Sequence, residues 1–164
     1  MKITIEPMTR ERMHEMYRDF TMDPAIFQDM ELYEQVKNYV YNPDRVNALF
    51  DMRAAEEGSL CFAIMLNDEV IGEMGLRNPD PETKECELSV HMKNDSVKNK
   101  GYGTEAEKLG IKYAFEALGM ESIFAETELK NTRSQHIIEK LGFEYTGEAE
   151  GFKQYHLKRE DWKE

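Results

Sequence analysis

With 164 residues, 40% of them hydrophobic and 33% charged, the chain is long enough to bury one core without disulfides or metals. A formal net charge of −12 argues against a nucleic-acid or anionic-membrane binder, because both partners require basic surface. No apolar run nears the roughly 20 residues that span a bilayer, the N-terminus lacks the apolar stretch of a signal peptide, and Cys61 and Cys86 read as reduced buried thiols, so one cytoplasmic domain over residues 1–164 is expected.

Lys2 to Glu6 alternates like a strand and is interrupted by Pro7; Met13, Met16, Tyr17 and Phe20 then recur at helical spacing. A second helical region is predicted over Asp23 to Glu57, broken at Pro43 and stopped by Gly58. The methionines of this first third (Met8, Met13, Met16, Met22, Met30) are expected in the core and in a cleft wall. The period then changes. Leu60–Leu66 and Val70–Leu76 read as a hairpin turning at Asn67-Asp68, and Asn78-Pro79-Asp80-Pro81 reads as a loop. The next strand puts Cys86, Leu88, Val90 and Met92 on one face and Glu85, Glu87, Ser89 and His91 on the other.

A glycine-bearing loop follows, then a helix marked by Ala106, Leu109, Tyr113, Ala114 and Ala117 and ended by Gly119. Ser122–Leu129 reads as a strand and Thr132–Leu141 as a helix stopped by Gly142. Two last strands, Phe143–Thr146 and Phe152–Leu157, flank a polar loop from Gly147 to Gly151. The order β-α-α-β-β-β-α-β-α-β-β predicts an α/β (α+β) fold: a mixed, mostly antiparallel seven-stranded sheet with helices on both faces.

The loop, Lys98-Asn99-Lys100-Gly101-Tyr102-Gly103-Thr104, joins a strand to a helix. Glycines at 101 and 103 allow close backbone approach and unusual φ values. A helix N-terminus offers unpaired N–H groups and about half a positive charge, which suits a pyrophosphate. Lys98 and Lys100 add cations, and Thr104 with Glu107 matches a capping box. A Walker loop is absent, and the dinucleotide fingerprint fails because Ala106 replaces its third glycine. No clustered Cys/His pairs suggest a metal.

The loop resembles the acyl-CoA pyrophosphate signature of the GCN5-related N-acetyltransferases (Gln/Arg-x-x-Gly-x-Gly/Ala), with Lys98 at the first position. Asn131-Thr132-Arg133-Ser134 and Glu139-Lys140-Leu141-Gly142-Phe143 resemble a second signature, that of the branch acetylating ribosomal-protein N-termini. The ending Leu157 to Trp162 is also similar to that branch, so the likeness runs from about Leu60 to Trp162, while the first 58 residues match only in element order.

The resemblance implies acetyl-CoA as co-substrate and a primary amine as acceptor, whether a protein N-terminus, a polyamine or another small amine. It implies a sheet splayed between the strand ending at Met92 and the one starting near Ser122, with the pantetheine arm in the gap. Backbone groups around His91 and Met92 would bind that arm. Those from Asn99 through Lys100, Gly101, Tyr102 and Gly103 to Thr104 would hold the pyrophosphate, and Asn131 and Ser134 would line the arm near the sulfur. Attack requires a neutral amine, hence a proton acceptor; Glu87 is the first candidate and Glu126 the second. Many relatives place a tyrosine seven residues after the asparagine to protonate the leaving thiolate; Ile138 stands there instead. Either Ser134 fills that role, or the thiolate, with a pKa near 8 to 9, leaves unaided. The missing tyrosine also keeps open a catalytically weak acyl-CoA-binding or regulatory module. His14, His91, His136 and His156 are expected to be spectators, and a homodimer is an expectation from the family alone.

Overall fold

A computed structural model describes residues 2–164. Seven strands form one sheet in the order β1-β2-β3-β4-β5-β7-β6. They are β1 (Ile3–Pro7), β2 (Leu60–Leu66), β3 (Glu69–Asp80), β4 (Glu85–Met92), β5 (Ser122–Glu128), β6 (Glu144–Ala149) and β7 (Phe152–Lys158). The helices are α1 (Arg10–Arg18), α2 (Met30–Val36), α3 (Pro43–Ala55), α4 (Tyr102–Lys112) and α5 (Thr132–Lys140). All neighbouring strands run antiparallel except β4 and β5. The expected mixed sheet with helices on both faces is what forms.

Alternation along the strands separates two cores. Phe62, Ile64, Met74, Leu88 and Ile123 point to the face covered by α4 and α5, where Ala106, Ile111 and Ile138 complete the packing. The intervening residues Ala63, Met65 and Val70 meet Met16 on the other face, under α1. The helix α1 packs on α3 and on β3.

Several boundaries differ from the sequence expectation. Pro43 does not break a helix; it occupies the first turn of α3, where its missing N–H has no helical partner to lose, and Asn42 caps that turn. The region before it holds a short 3-10 turn at Pro24–Ile26 and the separate helix α2, so three helices precede β2 instead of two. Residues 78–80 belong to β3, not to a loop: Asn78 takes a left-handed φ of 49° and the register with β4 shifts between Arg77 and Asp80. A bulge absorbs the proline that would interrupt a regular ladder. Likewise β6 runs through Gly147 with its own register shift, and only Glu150-Gly151 turns the chain into β7. The expected turn at Asn67-Asp68 forms without glycine, because Asn67 itself adopts φ 55°. After Lys112, α4 continues as a π-helical turn over Tyr113–Ala117, which periodicity cannot distinguish from α-helix.

Glycine sets how close α4 lies to the sheet. A Cβ at Gly110 would stand 2.5 Å from Met74 Sδ and 2.8 Å from Met74 Cε, and Met74 is fully buried. Gly110→Val is therefore expected to lower the free energy of unfolding by about 1–3 kcal/mol through overpacking, as measured by urea denaturation. An unchanged midpoint would show that α4 can lift without loss.

Candidate active site

The parallel pair β4–β5 is incomplete. Only Glu85↔Ser122, Cys86↔Ile123 and Glu87↔Phe124 are in register. Beyond them each strand stays bound to its outer neighbour, β4 to β3 as far as Met92 and β5 to β7 as far as Glu128. The two strands diverge, and backbone groups of Leu88–Met92 on the β5 side have no strand to pair with. Since buried N–H and C=O groups require partners, this gap suits a ligand with amides of its own. A cleft of about 500 Å³ opens there, lined by Leu88 to Met92 of β4, Gly103 and Glu107 of α4, Glu126 and Glu128 of β5, and Asn131 to Ser134 with Ile138 of α5.

The helix α4 begins at this cleft. Thr9, Asp29, Asn42 and Asn131 cap α1, α2, α3 and α5 through their side chains, whereas α4 starts at Gly101 with no side-chain cap. Gly101 has φ 82°, and a Cβ there would meet nothing within 4 Å, so backbone conformation and not space requires glycine. Asn99 is also left-handed, at φ 60°. Left-handed residues thus stand on both sides of Lys100, immediately ahead of the helix. The expected Thr104–Glu107 capping box does not form: the helix already starts at Tyr102, which places Thr104 inside the first turn and Glu107 on the buried side. Gly103, expected to need a special φ, is helical; a Cβ on it would only touch Met92 Sδ at 3.9 Å, within the cleft.

Lys98 lies beside the cleft but its ammonium is engaged. It contacts Asp23 Oδ2 at 2.7 Å and Asp95 Oδ1 at 3.3 Å. Burial alone would push Asp23 up, yet the Lys98 ammonium and the Ala25 N–H hold its carboxyl below the usual carboxylate range. Lys98 thus ties the segment after α1 to the loop that precedes α4. That tether joins residues far apart in sequence and has no local signature. Lys130 and Arg133 bring further cations to the rim.

Glu87 and Glu126, the two candidate bases, share the cleft with Glu128. Burial raises the Glu87 carboxyl above its ordinary value, the charge of Glu126 raises it further, and Arg77 opposes both. Arg77, directly across from Glu87 on β3, is held by Glu56 at 2.7 Å. Asn131 uses its side-chain oxygen to cap α5, accepting from Ser134 N at 3.2 Å, and Ser134 itself borders the cleft. Ile138, at the tyrosine position, is buried and contributes apolar wall.

His91 and Met92 border the cleft. Although its ring has access to solvent, crowding by the surrounding protein holds the His91 imidazole below its usual range, against the pull of Glu73 behind it. That Glu73, only 2% exposed, accepts from Arg53 at 2.9 Å and Tyr17 at 3.2 Å, locking α1 and α3 onto β3. Cys61 joins this cluster, and burial pushes its thiol up to about 12 and that of Cys86 to about 11, so neither is a ready nucleophile. His14 bonds Asn47 and Tyr41, His156 bonds Thr146, and His136 is exposed, all outside the cleft. None of the early methionines lines it: Met13 and Met16 are core, Met22 borders a separate groove and Met30 is exposed.

The family model for the acetyltransferase (GNAT) domain matches residues 2–144. The chain belongs to this family. An N-acetyltransferase from Bacillus licheniformis, p20, whose name carries the word uncharacterized, is 32% identical over 88 residues, which is 52% of this chain. The match spans about half (49%) of that relative's own length. Among solved structures, an acetyltransferase from T. thermophilus superposes with a TM-score of 0.77 at 23% identity, covering 99% of this chain and 88% of the other. The spermidine N-acetyltransferase of Vibrio cholerae, in complex with CoA and spermine, gives 0.73 at 14% identity over 97% and 96%. These likenesses establish a GNAT fold. Among the described residues no helix is long and apolar enough to cross a membrane.

One GNAT residue departs most from ordinary behaviour. Burial pushes Glu107 up to about 8, with no partner charge involved. A folded-state pKa above the unfolded one gives stability that is fully present below about pH 4 and lost as pH rises through about 8. Glu107→Gln, which cannot ionise, should therefore gain stability over the parent between about pH 5 and 8, read from urea unfolding at the two ends. A difference that is flat or that shrinks with rising pH contradicts the assignment.

Proposed function

We propose that the chain transfers the acetyl group of acetyl-CoA to a primary amine, one that carries further positive charge. The observation that carries this reading is the split between β4 and β5, bordered both by an uncapped α4 N-terminus and by Glu87, Glu126 and Glu128. The donor's pyrophosphate would lie against the backbone from Asn99 to Thr104, and its arm against Leu88–Met92 and the Asn131/Ser134 end of α5. When bound, acetyl-CoA supplies an activated acyl carbon.

The residues of the chain then have separable tasks. Glu87 accepts the ammonium proton of the acceptor, directly or through water, and its raised pKa makes it a stronger base than a free glutamate. Glu126 and Glu128 attract and orient the cation. Spermine, bound in the Vibrio cholerae neighbour, is a polycation of the kind that three carboxylates would draw in. With Ile138 at the tyrosine position, no phenol protonates the departing thiolate; Ser134 borders the cleft but chiefly serves the donor, and a thiol pKa near 8 to 9 lets the sulfur leave without an acid.

Thiol release from acetyl-CoA in the presence of an amine panel tests the reading. Polyamines should turn over faster than neutral monoamines, and Glu87→Gln should cut kcat/KM by about 10²–10⁴-fold while leaving CoA affinity unchanged. The second reading, an acyl-CoA-binding module with little turnover, draws on Ile138 and predicts CoA binding with no thiol release across the whole panel. Absence of any CoA binding would end both.

A further inference from the structure

The cleft holds one carboxyl that neither the phosphate loop nor the acceptor chemistry uses. Glu107 stands one turn beyond Gly103 on α4, and both border the cleft. The residue is 7% exposed, and its carboxyl has no hydrogen bond or ion pair among the described residues. The surroundings offer no compensation. On the α4 side, β4 presents Cys86, Leu88, Val90 and Met92, while Glu87 and His91 project to the opposite face. The charged groups sharing the cleft are Asp23 beyond α1, Arg77 on β3, Glu87 on β4, Lys98 ahead of α4, Glu126 and Glu128 on β5, and Lys130 and Arg133 at the start of α5; none of them shifts Glu107, whose displacement comes from burial alone.

A carboxylate at this point would confront an anionic ligand in a poorly solvated wall. A carboxylic acid is instead a donor as well as an acceptor, and its unpaired O–H calls for an acceptor. We propose that Glu107 is a hydrogen-bond donor built into the donor cleft, giving its carboxylic O–H to a neutral amide carbonyl of the acyl donor's arm. This rests on the acetyl-CoA reading above. Glu107 is a positioning residue: it touches the arm and leaves the reacting carbon to other groups. Because the protonated form binds and a pKa of about 8 lies close to neutrality, donor affinity holds level at neutral pH and falls as pH rises through that value. Binding under alkaline conditions then takes up protons.

The test is calorimetric titration of desulfo-CoA, which has no thiol to ionise, into the parent, Glu107→Gln and Glu107→Leu. Titrations run from about pH 7 to about pH 9.5 in paired buffers of different ionisation enthalpy. The parent should lose about tenfold in affinity over that range and take up a fraction of a proton on binding above about pH 8. Glu107→Gln, whose amide still donates, should match the parent near pH 7, with neither the extra loss nor the proton uptake. Glu107→Leu should bind about tenfold more weakly near pH 7. If Glu107→Gln keeps the parent's pH slope and proton uptake, or Glu107→Leu binds as well as the parent, the donor role is overturned while the acetyl-CoA reading stands. If the parent binds no desulfo-CoA at any pH, the reading beneath the proposal fails and the proposal with it.

Discussion

The architecture turns on one interrupted ladder. Parallel strands β4 and β5 share three paired positions and then part, each held in its direction by an antiparallel neighbour. Had they stayed paired to their ends, the sheet would be continuous and no cleft would exist. The parting leaves main-chain donors and acceptors facing open space, a condition that folded proteins avoid unless something else satisfies them. It also brings the start of α4 and the start of α5 to the two rims of one opening. The remaining features of the site follow from that opening.

Charge is sorted around the cleft in a way that bulk composition conceals. A chain with net charge −12 still gathers Lys98, Lys130 and Arg133 around the cleft, while Glu87, Glu126 and Glu128 line the strands of the split. The sorting is partly structural. Lys98 spends its ammonium on Asp23 and Asp95 and so fastens the segment after α1 to the loop that precedes α4. Beside it lie the left-handed backbone at Asn99 and Gly101 and the positive end of the α4 dipole. On the opposite face, the buried Glu73–Arg53 pair anchors α3 beneath the strands that carry the cleft. Removing either partner would strand a buried charge, so this pair specifies where α3 sits.

Glu107 shows how one position can serve fold and site in different ways. At i+3 from Thr104 it completes a capping pattern, and by helical phase it lies between Ala106 and Gly110 on the face turned to the sheet. The cap loses because Gly101 already starts the helix three residues earlier, and the side chain is carried into the cleft wall. Burial then changes its chemistry from carboxylate toward carboxylic acid.

Much of this was legible in the residues alone, for local physical reasons. Strand alternation at Cys86–Met92, the left-handed stop at Gly119 and the left-handed Gly101 ahead of α4 depend on neighbours within a few positions, and they emerged as expected. The ordered signatures at residues 98–104 and 131–143 pointed to the family that the domain model matches. What the sequence could not determine depends on contacts between distant segments. The bulges at Asn78 and Gly147 turn apparent loops into strand because a partner strand is present to pair with them. The Lys98–Asp23 tether, the Glu73 cluster and the burial of Glu107 have no periodicity to read, since each joins residues tens of positions apart or depends on what lies above a helix face. Short-range backbone preference thus determined the elements and the loop. Packing alone decided where the ladder parts, which charges stay free and which carboxyl becomes neutral, because desolvation is a property of the surrounding fold.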